Sequence, residues 1–376
     1  MLVQIHMLQN YVPSNLNRDD TGSPKTAYFG EVLRGRISSQ CLKRSIRMSE
    51  TFEQAFAEDG FLATRTKRLP GLIKEQLEAL DADDEAVKNI VQRVPEIGSE
   101  SGRGRGQTEE GEPLETRQLI FIGDNELQPM AQKLLDLYNE IGPKAWNDSR
   151  KTKIADITRK LGKSLPQSVD IAMFGRMTTS DAFEDVQAAV QVAHALSVNA
   201  VQQEFDYFTA VDDISGESGA GMIGDVEYNS STYYKYINVH WEGLCENLGG
   251  DVSVARRAVS ALLEAAAVAQ PSGKQNTFAA QNLPELVLVE VRNRNLPVSY
   301  ANAFVIPART TRQDSLVGDA VAKLADYMDR IGTTYDLVES DKRAMTSIQD
   351  YELPAAATVP SLSKLQEWLS DNLPEA

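Results

Sequence analysis

The residues best suited to chemistry lie between Leu16 and Arg47, in LNRDDTGSPKTAYFGEVLRGRISSQCLKRSIR. Seven Lys or Arg (Arg18, Lys25, Arg34, Arg36, Lys43, Arg44, Arg47) stand there against three acids (Asp19, Asp20, Glu31), in a 376-residue chain of formal net charge -16. A local cationic excess on so acidic a background asks for an anionic partner. Ser38 or Ser39 offers an N-cap to a helix. On that helix Gln40, Lys43 and Arg47 fall at i, i+3 and i+7 and share one face. Cys41, Met48, Phe52 and Phe56, at i, i+7, i+11 and i+15, form the stripe expected to face a core. The helix N-terminus adds unpaired N–H groups and a positive dipole end. A phosphate-binding surface therefore outweighs the plainer reading of a solvated basic face.

Other constellations are weaker. His6, His194 and His240 form no HxxxH and stand near no Cys-x-x-Cys, so no metal site is expected. Cys41 lacks a histidine partner in the sequence, and no GxSxG occurs, which makes it a small core residue rather than a nucleophile. The pairs Asp19-Asp20 and Asp212-Asp213 have the type of ligand that holds Mg²⁺ for phosphodiester cleavage. Neighbours in a strand point to opposite faces, so only a loop lets such a pair converge. Salt bridges to Arg18, Arg34 or Arg36, or turn hydrogen bonds, are the alternative use of Asp19 and Asp20. Gly219-Ala-Gly221-Met-Ile-Gly224 matches GxGxxG, but Asp225-Val-Glu-Tyr after it reads as a strand, whereas a dinucleotide fold needs a helix there. No catalytic residue and no cofactor is expected.

The elements that position the basic stretch follow from periodicity. Residues 2 to 10 alternate as a first strand. From Gly60 to Leu165 the pattern turns helical and polar (Leu72 to Leu80, Glu85 to Val94, Met130 to Ile141), which reads as a helical insertion. Within it Gly98 to Pro113, with Arg103 and Arg105, reads as a Gly-rich surface loop. Pro143 to Lys163 is a second basic patch, with seven Lys or Arg against Asp148 and Asp156. Val169 to Gly175 reads as a buried strand, followed by Arg176 and Met177, and Glu184 to Asn199 as an Ala-rich helix. Phe205 to Tyr236 places aromatic arms about a Gly-rich tip, a long hairpin. Beyond it come a strand at 233–241, a helix at 252–270, a strand at 286–291, a helix at 316–331 and a short amphipathic helix, LSKLQEWLSDNL. This alternation predicts a split βαβ core with antiparallel pairing.

Composition is compatible with a sizeable buried core, at 42% hydrophobic residues. No apolar run approaches the ~20 residues of a membrane span. The opening MLVQIHMLQNYV alternates as a strand and lacks the basic start of a signal peptide. Two cysteines, Cys41 and Cys245, make no disulfide framework, so the expected compartment is the cytoplasm.

LNRDD, the FG of Phe29-Gly30 and RISSQCLKR resemble the N-terminal signature of the backbone subunit of the type I-E CRISPR surveillance complex, Cascade. VDIAMFGRM (Val169 to Met177), FTAVDD (Phe208 to Asp213), ENLGG (Glu246 to Gly250) and SYANAF (Ser299 to Phe304) continue it in order along nearly the whole chain. The resemblance implies an α+β fold: an RNA-recognition-motif (ferredoxin-like) palm at 1–59, 166–204 and 233–376, helical fingers at 60–165 and a β-hairpin thumb at 205–232. It implies a non-catalytic protein that polymerises along a CRISPR guide RNA, kinks it periodically and presents it for pairing with target DNA. Its expected partners are the guide RNA, target DNA through the RNA–DNA heteroduplex, further copies of itself head to tail, and other Cascade subunits. Lys25, Ser38, Gln40, Lys43 and Arg47 sit at positions matching the family's backbone contacts, with Arg18 and Arg44 beside them. Arg176 and Met177, and Phe208 and Met222 of the thumb, are candidates to stack or wedge at the kink. Related subunits of type III complexes cut RNA with a loop aspartate, so a metal-dependent ribonuclease using Asp19 and Asp20 is one alternative. A scaffold without nucleic acid is the other.

Overall fold

The structure, a computed structural model, describes residues 1–97, 114–148, 152–161, 168–178, 180, 182–211, 214, 220–312, 314–337 and 341–374. The chain opens with β1 (Leu2–Ser14), β2 (Thr26–Phe29), β3 (Val32–Ile37), α1 (Ser39–Arg47), α2 (Glu50–Phe56) and β4 (Ala63–Thr66). A helical stretch follows: α3 (Leu69–Ala79), α4 (Asp84–Val91), α5 (Val94–Ile97), β5 (Ile120–Gly123), α6 (Asp124–Ile141), α7 (Pro143–Trp146), α8 (Ile154–Leu161) and α9 (Val169–Phe174). Then come β6 (Val190–Val192), β7 (Ala195–Ser197), β8 (Glu204–Val211), β9 (Ala220–His240), α10 (Trp241–Asn247), α11 (Val252–Val268) and α12 (Gln275–Phe278). The chain closes with β10 (Leu286–Arg292), α13 (Leu316–Thr334), β11 (Asp341–Ser347), β12 (Ala356–Thr358) and α14 (Leu362–Asp371). It divides into two compact units, one of Met1–Phe52, Gln191–Trp241 and Val259–Glu375, the other of Glu53–Val190 and Glu242–Ala258.

The first unit is built on a mixed, mostly antiparallel sheet of order β12-β11-β10-β1-β9-β7-β3-β2, with β6 and β8 also pairing to β9. Of these ladders β11–β12 is parallel. β1 lies at its middle, its register running Leu2 to Leu8 against β10 and Leu2 to Tyr11 against β9. Both faces of β1 are buried from Leu2 to Gln9. One face carries Leu8, Tyr234, Tyr236, Leu286 and Leu288 under Tyr300, Phe304 and α13. On the other lies Lys235, whose Nζ donates to the Ala266 carbonyl of α11 at 3.4 Å.

A buried carboxylate sits in the first of these faces. Glu290 of β10 accepts from Gln4 (2.9 Å), Arg343 (2.6 Å), Arg292 (3.0 Å) and the Tyr300 hydroxyl (2.8 Å), and a His6 ring nitrogen lies at 3.3 Å. Burial works against charge on Glu290, but His6, Arg292 and Arg343 hold its carboxyl well below the usual range. Burial and the same two guanidiniums push His6 down, toward the neutral imidazole. The site is thus a carboxylate between two guanidiniums, with no exposed atom on the acid.

The second unit packs α3, α4, α6 and α8 about Ile73, Leu77, Ile90, Leu134 and Trp146. The antiparallel ribbon β4–β5 belongs to it, in register Ala63↔Gly123 to Thr66↔Ile120.

Several expectations change here. Val169 to Gly175 is not a strand but the helix α9. Val169 to Met173 are all buried, the one acid, Asp170, included, and so short a run buried on every side carries no period to tell helix from strand. Glu184 to Asn199 is not a helix; β6 and β7 occupy it, with Val190, Val192, Ala195 and Ser197 buried in alternation. Their pairing with β9 overrides the helical propensity of alanine. The Cys41, Met48, Phe52, Phe56 stripe also fails as one face. α1 ends at Met48, which is 64% exposed, and its core residues are Leu42 and Ile46; Phe52 and Phe56 are buried from the separate helix α2. The hairpin β2–β3, the ribbon β4–β5 and strands β11 and β12 were not expected. Gly98 to Pro113, including Arg103 and Arg105, lies outside the described residues.

Two variants test these buried charges. Glu290→Gln leaves two buried guanidiniums without their carboxylate and lowers unfolding stability by about 3–5 kcal/mol in urea titrations. Burial lowers the Lys235 pKa from 10.5 to about 7. Between those values the unfolded chain binds more protons than the folded one, so this side chain's contribution to stability rises with pH. Lys235→Met is expected to exceed the parent in stability near about pH 6 and to lose that margin by about pH 10, a trend of order 1 kcal/mol per pH unit.

Candidate nucleic-acid interface

The basic stretch is an ordered loop tied to the start of α1. Asn17 Oδ1 accepts the Ser38 N–H at 2.8 Å, and its backbone carbonyl accepts the Lys25 N–H at 2.8 Å. Asn15, fully buried, donates from Nδ2 to the carbonyls of Gly22 (3.0 Å) and Glu227 (2.9 Å). The loop is thereby bound both to itself and to the root of the β8–β9 hairpin. Ser38 caps α1 as expected, its hydroxyl accepting the Cys41 N–H at 3.3 Å. The next N–H, of Ser39, points to His194 Nδ1 at 3.3 Å. Burial, Arg36 and Lys25 push His194 toward the neutral ring that accepts that bond.

Around this helix start the cations gather. Arg18 and Arg44 are exposed, and Lys25, Arg36, Lys43 and Arg47 half-buried. Gln40 is exposed on the turn before Lys43 and Arg44, and the face of Gln40, Lys43 and Arg47 flanks the buried side of Leu42 and Ile46, which leaves Lys43 and Arg47 half-buried and Arg44 pointing away from the core. Burial lowers the Lys43 pKa. Burial raises the Cys41 thiol despite the opposing charges of Lys25, Arg44 and Lys235, so Cys41 is protonated and unreactive at neutral pH.

Arg34 does not belong to the surface patch. Its guanidinium is fully buried and donates to the carbonyls of Phe29, Ser197, Val198, Phe304 and Val305 at 2.7–3.3 Å. It holds the β2–β3 turn against β7 and the 299–305 segment, and Tyr28 on β2 stands outward at 79% exposure. That exposure had no sequence signal, because the hairpin itself was not legible.

Asp19 is committed locally. Its Oδ1 accepts from the Thr21 N–H (2.9 Å), the Thr21 hydroxyl (2.7 Å) and the Ser23 N–H (3.0 Å), and the Thr21 hydroxyl bond leads in holding its carboxyl below the usual value. Among the described residues no group of three or more His, Cys, Asp or Glu is placed to hold a metal ion. Asp212 and Asp213 lie outside the described residues.

In the hairpin β8–β9, Phe208 stands opposite Gly224 and Ala210 opposite Met222, so Phe208 and Met222 share one face. The Phe208 ring covers Gly224 and leaves no room for a Cβ there. Phe205, Tyr207, Met222 and Ile223 are about 60% exposed on this ribbon, Met222 on the Phe208 face and the other three on the reverse, without cover among the described residues. Gly219 lies outside the described residues, but Gly221 and Gly224 are in strand β9, where no helix opens.

In the second unit Arg176 and Met177 part company. Arg176 is 5% exposed; it pairs with both Glu126 oxygens (2.7 and 3.1 Å) and donates to the carbonyls of Phe121 and Glu184. Its donors tie α6 to β5 and to the 176–186 turn. Met177 is 94% exposed. Gly175, at φ +81° and at a place where a Cβ would lie 2.9 Å from the Val186 carbonyl oxygen, gives the turn that sends Met177 outward. Of the second basic patch, Lys144, Lys153 and Lys160 are exposed, Lys160 pairing with Glu140 at 3.0 Å; Arg150, Lys151 and Lys163 lie outside the described residues. Arg176→Ala is expected to lower the melting temperature by several degrees, for a loss of about 2–3 kcal/mol, because the half-buried Glu126 loses its guanidinium and keeps the Gly123 N–H, whereas Met177→Ala leaves it unchanged in the same calorimetric scan.

Comparison with known proteins agrees with this architecture. A chain of a "CRISPR RNA-guided surveillance complex, pre-nicking" matches with TM-score 0.81 and 30% identity over 99% of each chain. A chain of another "CRISPR RNA-guided surveillance complex" matches with TM-score 0.71 and 26% identity, over 99% of this chain and 100% of that one. A search of curated proteins finds no match. The resemblance to a Cascade subunit, carried by the blocks from LNRDD to SYANAF, is borne out by the solved structures. A family model described as CT1975-like protein matches residues 3–370, and the chain belongs to that family.

Proposed function

We propose that this chain is a non-catalytic backbone subunit of a type I-E Cascade, which polymerises head to tail along the guide RNA spacer. It kinks that RNA periodically and presents the intervening bases to target DNA. The observation that carries the reading is the α1 surface: a capped helix start ringed by Lys25, Arg36 and Arg44, with Gln40, Lys43 and Arg47 on one face, in a chain of net charge -16. A subunit that accepts any guide must hold phosphate and sugar without reading bases, and cations beside a helix start are suited to that. Sequence is then read by base pairing.

In this reading residues 1–59, 166–204 and 233–376 form an RNA-recognition-like palm, 60–165 the fingers and 205–232 the thumb. Arg18, Lys25, Ser38, Gln40, Lys43, Arg44 and Arg47 hold the RNA backbone. Met177, and Phe208 with Met222 on their shared hairpin face, wedge or stack against bases at the kink. A head-to-tail contact that does not close makes a filament, whose length the guide sets. No helix among the described residues is long and apolar enough to cross a membrane, in keeping with assembly in the cytoplasm. The occupied Oδ1 of Asp19 gives the ribonuclease alternative no particular support.

The test is Lys43→Glu with Arg47→Glu. The double variant is expected to fold, by circular dichroism, yet to purify without RNA and to lose assembly on a guide. Its remaining affinity has a shallower salt dependence, by about 0.7 per lost phosphate contact. Unchanged affinity and slope would remove α1 from the RNA contact.

A further inference from the structure

The ribbon β4–β5 gathers a basic surface that neither of its strands announces. Residues 63–68, ATRTKR, and 115–123, ETRQLIFIG, lie about fifty positions apart, yet hold four cations (Arg65, Lys67, Arg68, Arg117) against one acid, Glu115. The four are exposed. Pairing of Arg65 with Phe121, and the Thr116 N–H to the Lys67 carbonyl at 2.8 Å, bring the two stretches together. So strong a local excess, in a chain this acidic, marks an anion-contacting surface by the same argument that singled out α1.

Beside it opens a cavity of about 320 Å³, whose lining includes Arg65, Gln118, Phe121, Met177, Thr178 and Phe183. The Arg65 guanidinium stands 4.9 Å from the Phe121 ring centroid, and that of Arg176, fixed by Glu126, 5.5 Å from Phe183. A flat guanidinium on an aromatic ring is a platform for a further planar group, Met177 offers a soft apolar contact, and the Gln118 amide and Thr178 hydroxyl carry both donors and acceptors. Cations for phosphates and a stacking cavity for a ring are the two halves of a single-strand site.

We propose that the β4–β5 ribbon and its cavity form a second nucleic-acid site, which seats one unpaired base on the Arg65–Phe121 platform and the adjoining phosphates along Lys67, Arg68 and Arg117. The site rests on the nucleic-acid reading given above but not on α1. Its strand is single-stranded, either guide RNA or a DNA strand exposed at the target.

The experiment uses the full chain with labelled single-stranded RNA and DNA of one sequence, followed by fluorescence anisotropy across a salt series. Lys67→Gln with Arg68→Gln and Arg117→Gln is expected to weaken binding at least about tenfold and to reduce the salt slope by about 2, from three lost phosphates. Arg65→Ala is expected to weaken binding about fivefold or more, with a much smaller change in slope. A loss seen with RNA assigns the site to the guide, and one seen with DNA alone assigns it to the target side. Photocrosslinking of iodouridine-bearing strands to the unaltered protein gives a readout independent of variant folding, with adducts expected in 63–68 or 115–123; an adduct at Met177 alone belongs to the kink contact and counts against the ribbon site. Unchanged affinity and slope on both strands, with no such adducts, overturns the proposal. A change confined to particle size overturns it too, as a protein contact. The Lys43→Glu, Arg47→Glu protein is the parallel arm: if it alone loses RNA, the α1 reading stands and the ribbon site falls.

Discussion

A buried charge must be met by fixed partners, and in this chain the partners of two such charges set the positions of the elements around the basic surface of α1. Glu290, with no exposed atom, draws hydrogen bonds or charge from β1, β10, β11 and the 299–305 segment, through Gln4, His6, Arg292, Arg343 and Tyr300. Arg34, equally buried, spends its guanidinium on five carbonyls of the β2–β3 turn, the β7 end and that same 299–305 segment. A half-satisfied network would cost more than an apolar core, so each is a strong constraint on geometry. Between them they fix the middle of the sheet and the hairpin that leads into α1.

From that frame the surface chemistry follows. β1 emerges at Ser14, and Asn15 binds both the basic loop and the hairpin root. Asn17 then delivers the loop to the first turn of α1. Asp19, one of the loop's two acids, is absorbed in turn hydrogen bonds, while Arg18, Asp20, Gln40 and Arg44 stay exposed. With a Debye length of about 8 Å, the acidity of the remaining chain is screened from a patch of this size, so a net charge of -16 is compatible with the proposed phosphate grip.

The basic stretch, the Ser38 cap and the shared face of Gln40, Lys43 and Arg47 were legible because capping and helical spacing are local properties. So were the long hairpin and the helices of 60–165. What the sequence hid were matters of partnership. Arg34 and Arg36 look alike as letters, yet one is buried among carbonyls and the other sits half-exposed beside His194. Arg176 and Met177 are neighbours, and only a glycine turn and Glu126 decide which is buried. Val169 to Met173, buried on all sides with Asp170 among them, held no period. Arg117 lies about fifty positions from Arg65, Lys67 and Arg68, and only the pairing of β4 with β5 brings it beside them. The blocks that carried the family resemblance contain several of these anchors: Asn17, Arg176, Asn247 and Tyr300 each make side-chain bonds across the fold.

The account's central claim is that α1 and its loop hold the RNA backbone. Hydrogen exchange of the protein with and without bound guide RNA tests it most directly. Slowed exchange over residues 17–25 and 38–47 on RNA binding is the predicted result. Tight RNA binding with exchange in both segments unchanged, and protection only elsewhere, would contradict it.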